Sequence, residues 1–217
     1  VHYLGKVIDD MQYDMVYHEH LYYYSLLSAI EHFKRYDMVI FDIKLVPIHA
    51  GSIRFYVGHK AGKHASFVSD AVKNLAKQEK IKGYDTFSSF QKFGNNVSET
   101  KDQLISLLKK IKSEGGTVAG YGASGRANTM IQYCNISEEL VSYMIDDAPA
   151  KTGFYTPASH LEIFTREVLL GKDAPDYVIV FAWSFFDEIV HSNQRYIDNG
   201  GRLILPLPSV KIYPEQI

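Results

Sequence analysis

Leu4, Val7, Ile8 and Met11 fall at three- and four-residue intervals, and Leu26, Leu27, Ile30 and Phe33 repeat that spacing with Glu31, Lys34 and Arg35 between them. Both stretches read as amphipathic helices, the first ending near Gln12 and the second running to Tyr36 behind Ser25 as N-cap. Residues 13–20 between them read as a strand whose polar positions crowd its last part. Residues 38–46 and 52–58 are strand-like and separated by a short bend, which predicts an antiparallel hairpin. The stretch 61–91 is more polar, helical in pieces and broken near Gly83. A further helix is expected from about Glu99 to Ser113, capped within Asn95-Asn96-Val97-Ser98, carrying Leu104, Ile105, Leu107, Leu108 and Ile111, and ended by Gly115-Gly116. From there strand and helix alternate: strands at 117–120, 141–145, 177–181 and 202–205, helices at 125–134 and 185–198. That order predicts an α/β fold, a mostly parallel sheet wrapped by helices. The expected division is 1–60, a helical linker at 61–94, and 95–217.

Composition narrows the function without naming it. A formal net charge of -2 gives no basic field for nucleic acid. No apolar run approaches the roughly 20 residues of a membrane span, and no secretory leader pattern opens the chain. The expectation is a cytoplasmic protein without nucleic-acid or membrane partners. The single cysteine, Cys134, excludes an internal disulfide and a cysteine-based zinc site.

Two stretches hold most of the candidate chemistry. Thr117-Val118-Ala119 enters Gly120-Tyr121-Gly122-Ala123-Ser124-Gly125, followed by Arg126, Asn128 and a helical segment. This is a strand, a Gly-x-Gly-x-x-Gly turn and a helix N-terminus, a place for a phosphate, and Asp146 follows the next strand where a ribose-binding acid stands in doubly wound folds. The same glycines also suit close packing of helix on sheet. Tyr17-His18-Glu19-His20 gathers proton-transfer side chains in four positions. Histidine titrates near neutral pH, and a neighbouring carboxylate can orient it as a general base; two histidines two apart can instead share a metal, but no third ligand is evident, and no metal is expected. Of the adjacent Tyr22-Tyr23-Tyr24, at least one should line a cleft or the surface. His49, Ser52 and Arg54 lie at the hairpin bend, Lys151 and Tyr155 in the irregular stretch after Asp146-Asp147, and Trp183 at a strand end, all places from which a ligand is reached.

The order of these motifs resembles the nucleotide-sugar C-methyltransferases of deoxysugar biosynthesis. The residues that carry it are Tyr17-His18-Glu19-His20 with the aromatic run, His49-Ala50-Gly51-Ser52-Ile53-Arg54, the glycine loop through Thr129, Asp146-Asp147 through Pro157, and Phe181-Ala182-Trp183. Ala50 stands where such enzymes usually carry a second glycine. The resemblance covers nearly the whole chain but only the later part of such an enzyme. It makes 1–60 the second half of an S-adenosylmethionine domain and 95–217 a Rossmann-like sugar-nucleotide domain, with the methyl donor's site largely outside this chain. It implies a dTDP-linked 4-keto-deoxysugar as substrate, methylated at C3 through an enolate, by a monomer or homodimer. His20 would be the base and Tyr17 and Glu19 its assistants. His18, His49, Ser52, Arg54, Gly120, Gly122, Ser124, Gly125, Arg126, Asn128, Asp146, Lys151, Tyr155 and Trp183 would face the substrate. The chain as given should bind the sugar nucleotide and transfer no methyl by itself. The residues also leave open an NAD-dependent oxidoreductase, or a sugar-nucleotide-binding module without catalysis.

Overall fold

The computed structural model describes residues 1–64 and 66–215. The chain forms two compact units, one of residues 1–12 and 18–96, the other of residues 13–17 and 97–215.

In the first unit, helices α1 (Leu4–Asp9), α2 (Leu26–Lys34) and α3 (Asp70–Lys82) accompany a hairpin of β1 (Met38–Val46) and β2 (Ser52–His59). The hairpin is antiparallel, pairing Met38 with His59 through Val46 with Ser52 across one irregularity between Ile40 and Asp42. Its apolar face, with Ile40 and Ile53, closes on Leu26 and Ala29 of α2 and Val72 and Leu75 of α3, with Tyr3 completing the cluster. Apolar burial of this kind contributes about 25 cal/mol per Å² and holds a hairpin that two strands alone would leave marginal. The N-terminus of α2 is closed twice. Ser25 and Ser28 exchange side-chain and backbone hydrogen bonds as a capping box. Glu79 of α3, fully buried, accepts from Leu26 N at 2.8 Å, Leu27 N at 2.9 Å and the Tyr3 hydroxyl at 2.9 Å. A carboxylate at a helix N-terminus meets both its orphan amides and its dipole. As expected, α3 ends at Gly83, which takes φ 71°.

The second unit is a six-stranded sheet in the order β5-β4-β3-β6-β7-β8. Its strands are β3 (Val118–Tyr121), β4 (Met144–Ile145), β5 (Ile163–Phe164), β6 (Tyr177–Val180), β7 (Arg202–Leu205) and β8 (Lys211–Tyr213). All neighbours are parallel except β7 and β8. Val118 to Tyr121 are buried at every position, the mark of a strand covered on both faces. One face packs Ala119, Tyr121, Val178, Val180 and Leu203 against Ile189 and Tyr196. The helices of this region are α5 (Gly125–Tyr133), α6 (Phe186–Ser192) and α7 (Gln194–Asp198), and the long α4 (Phe87–Ser113) precedes β3.

Four local expectations are corrected. Residues 13–20 form no strand: Tyr13–Met15 is a single 3-10 turn with Tyr13, Asp14 and Met15 all buried, so these side chains do not alternate between a wet and a dry face. Asn95-Asn96-Val97-Ser98 does not cap a helix beginning near Glu99 but lies inside α4, because buried Val97, Thr100, Leu104, Leu108 and Ile111 keep one apolar stripe in phase through the polar residues. The helix expected at 185–198 is two, interrupted at buried Asn193, whose side chain donates to Ile189 O at 2.8 Å. The strand expected at 141–145 shrinks to Met144–Ile145, while β5 and β8, two and three residues long, arise in stretches with no legible strand period.

Candidate functional site

In the first unit a cavity of about 790 Å³ is walled by Glu19, His20, Leu21, Tyr22 and Tyr24 ahead of α2, by Ile48, His49, Ser52, Arg54 and Phe55 around the hairpin bend, and by Val1 and His2. Backbone hydrogen bonds stitch these walls together: Tyr3 N donates to Gly51 O at 3.2 Å, Ile53 N to Val1 O at 2.9 Å and Leu4 N to Tyr24 O at 3.0 Å. His20 stacks on His2 with ring centroids 5.5 Å apart and meets the edge of Tyr23 at 6.3 Å. Ring packing on two sides restricts the imidazole while leaving it half-exposed. The bend presents His49 because its backbone is unusual: His49 and Ala50 take φ 53° and 60°, and Gly51 takes φ 130°. Ser52 Oγ donates to Ile48 O at 2.9 Å and closes the turn, and Gln12 Nε2 holds Ala50 O at 3.0 Å. Glu19, His20, His49, Ser52 and Arg54, named from the sequence, thus converge on one cavity, with Tyr22 and Tyr24 from the aromatic run. His18 is exposed and is not among the lining residues. Tyr17 belongs to the other unit. His2 carried no motif; backbone bridging to Ser52 and the stack on His20 place it at the cavity.

The glycine loop of the second unit joins β3 to α5, and its glycines do different work. A Cβ on Gly120 would collide with the Met144 sulfur and stand 2.7 Å from the Phe181 ring, so this glycine serves packing. Gly122 takes φ 95°, and a Cβ there would lie 2.8 Å from Ala182, so turn geometry and close approach both require it. Ser124 caps α5 through Ala127 N. The amides that would face a phosphate in a dinucleotide site are donated inside the chain: Gly122 N to Ile145 O at 2.7 Å, and Ala123 N to Asp146 Oδ2 at 2.8 Å. Asp146 also accepts from Ala148 N at 2.9 Å and from Lys151 Nζ at 2.8 Å, and Lys151 donates to Ala123 O at 2.9 Å. Asp146 and Lys151, expected at a ligand, clamp the loop on itself. The adjoining crevice of about 260 Å³, beside the carboxyl ends of β3 and β6, is lined by Asp146, Asp147 and Glu188 and by no lysine or arginine. Tyr121 donates to Asp147 at 2.7 Å, and burial together with that carboxylate pushes its hydroxyl up. Two of the loop amides and the Asp146 carboxylate are thus engaged within the chain, and Asp147 lies 3.5 Å from Arg166.

Arg126 is engaged elsewhere. Its Nε and Nη2 lie 2.9 and 2.8 Å from Asp14 Oδ2, which also accepts from Trp183 Nε1 at 2.9 Å. The guanidinium sits over the Trp183 ring at 5.1 Å. Asp14 is fully buried; burial raises its carboxyl above the usual range, while Arg126 and Trp183 pull it back down. Sequence reasoning passed over Asp14, as it did Glu79. Asn128 lies on α5, its Oδ1 buried with no hydrogen-bond partner among the described residues. Tyr155 is exposed and pairs through its backbone with Glu162. Cys134 is buried beside Tyr13, and burial pushes its thiol up. Among the described residues no group of three or more His, Cys, Asp or Glu is placed to hold a metal ion, and no helix is long and apolar enough to cross a membrane.

The family profile described as C-methyltransferase C-terminal domain matches residues 47–208, from the cavity's bend through the glycine loop to just past β7. The chain belongs to that family. C-methyltransferase NovU of Streptomyces niveus is 28% identical over 212 residues, which is 98% of this chain and 50% of NovU. The chain therefore spans about half the length of the curated relative it matches.

Proposed function

We propose that this chain is the substrate-activating part of a C-methyltransferase that acts on a nucleoside-diphosphate 4-keto-deoxysugar, with dTDP as the expected carrier. The observation that carries the reading is the convergence of His20, Glu19, His49, Ser52 and Arg54 on one cavity in a chain of this family. At about 790 Å³ the cavity lies within the roughly 300–1,000 Å³ of small-molecule sites. Methylation at carbon requires removal of the C3 proton next to the ketone. His20 is the base, packed between His2 and Tyr23, with Glu19 beside it to orient the ring; Tyr17 is the motif's further proton-transfer group. Arg54, exposed at the cavity's rim, supplies positive charge for the diphosphate. S-adenosylmethionine, held largely by residues outside this chain, supplies the electrophilic methyl group. On this reading the first unit holds the end of the donor domain, and the second, residues 13–17 and 97 onward, is the sugar-nucleotide domain.

Deprotonation can be measured without a methyl donor. In D₂O the 217-residue chain should exchange the C3 hydrogen of a dTDP-4-keto-6-deoxysugar, followed by NMR. His20→Asn should slow exchange by about 100-fold with sugar-nucleotide affinity nearly unchanged, the usual size of a general-base contribution. Incubation with labelled S-adenosylmethionine should leave the sugar unlabelled. Exchange by His20→Asn at the rate of the unsubstituted chain would move the base elsewhere, and calorimetric binding of NADH without dTDP binding would replace the reading with an oxidoreductase.

A further inference from the structure

Between Gln12 and His18 the backbone leaves the first unit for five residues that belong to the second. This strap is fastened along its length. The Tyr13 hydroxyl lies 3.4 Å from Cys134 Sγ, Asp14 takes Arg126 and Trp183 on a single oxygen, and Met15 is buried. At its end the Tyr17 ring lies against Gly125, so close that a Cβ on the glycine would stand 3.3 Å from it.

We propose that the start of α5, Gly125 with Arg126, is the seat of this strap, and that Asp14, Gly125, Arg126 and Trp183 are positioning residues for Tyr17 rather than ligands of the substrate's diphosphate. The proposal rests on the reading of Tyr17 as part of the proton-transfer machinery. Arg126 is committed by its fork to Asp14 and by the Trp183 ring beneath it. Turning it toward a phosphate would strip a fully buried carboxylate of its counter-ion, a strongly unfavourable exchange. Gly125 is the first residue of α5, where a helix accepts any side chain, so its bareness is explained by the ring it faces. The loop amides at Gly122 and Ala123 are already donated within the chain, which leaves the fingerprint's third glycine with the strap as its partner.

Gly125→Ala tests this directly, because alanine favours the helix yet must push the Tyr17 ring by a few tenths of an ångström. The expected result in the C3-exchange assay is a melting temperature unchanged or higher, a kcat about tenfold lower and a KM within about threefold, displacement of a positioned group acting on rate before binding. A KM about tenfold higher at unchanged kcat would return Gly125 to phosphate binding, and no change in either constant would show that the seat is idle; each overturns the proposal. Asp14→Asn, Arg126→Gln and their double variant supply a second arm: residues acting through one another should lose no more together than singly. Multiplying losses, with that of Arg126→Gln in KM, would make Arg126 a substrate ligand. If Asp14→Asn does not fold, Gly125→Ala still decides. Exchange by the unsubstituted chain is the control for the function itself, and its absence refutes enolisation and this proposal with it.

Discussion

Ala50 occupies the left-handed region at φ 60°, where the Cβ of an L-residue crowds the following carbonyl at a cost of roughly 1–2 kcal/mol. A glycine would suit that conformation, and the bend keeps its shape with alanine because Gln12 holds Ala50 O and Ser52 closes the turn. Ala50→Gly should raise the unfolding free energy by up to about 1 kcal/mol, the relief of crowding being partly offset by the freedom glycine gains in the unfolded chain. Urea denaturation measures this, and a loss of stability would mean that the bend is not held left-handed in solution. His20, His49, Ser52 and Arg54 were legible as candidates because histidine, serine and arginine at a strand end or bend stand out by type. Asp14 was not, since nothing in a run of tyrosines and methionines says that an acid there is buried against an arginine 112 positions away. Asp146 was legible as an acid after a strand and Lys151 as a loop residue within reach of a ligand, but their use on each other depends on a lysine side chain folding back, which spacing does not report.

Helix α2 depends on a residue from another element. Glu79 accepts from both amides at the first turn of α2 and from Tyr3, so it fixes where the segment carrying His20 enters the helix. Glu79→Gln keeps the shape but gives up the charge and one acceptor, and should cost about 2 kcal/mol, with Glu79→Ala costing more. Hydrogen exchange at the Leu26 and Leu27 amides should accelerate before that of the hairpin amides; unchanged protection would make the carboxylate a bystander. Val72, Leu75 and Glu79 share one buried face of α3, yet in the sequence Glu79 between Lys77 and Lys80 looks like one more solvated charge. Helix α2, the hairpin and the strands at 118–121, 177–180 and 202–205 were legible because period and punctuation agree there, whereas α3 was legible only as part of a polar stretch, helical in pieces, that breaks near Gly83. The 13–20 stretch was misread as a strand because aromatic and apolar residues alternate with polar ones while tertiary burial forces a turn, and β5 and β8 are too short to show any period.

On the scale of the molecule, alternation of strand and helix was enough to foresee a mostly parallel sheet, and the glycine fingerprint marked its first turn correctly. What it could not foresee is that the fold supplies its own anion to that turn, in Asp146, and its own passenger to the helix behind it. The backbone passes between the two units three times, after Gln12, after Tyr17 and after Asn96. A cut before Val97 therefore does not release the second unit whole. A fragment of 97–217 would carry Arg126 without Asp14 and should unfold at a lower temperature than it does with a synthetic peptide of residues 10–20 added in trans; an equal melting temperature would show the peptide to be dispensable. The same holds for inheritance. Recombination that exchanges the later part of the gene between two members of this family would pair one parent's α5 with the other parent's strap, so the two pieces, whose Asp14 and Arg126 stand 112 positions apart in the sequence, are expected to travel together or to be repaired together in any functional chimera.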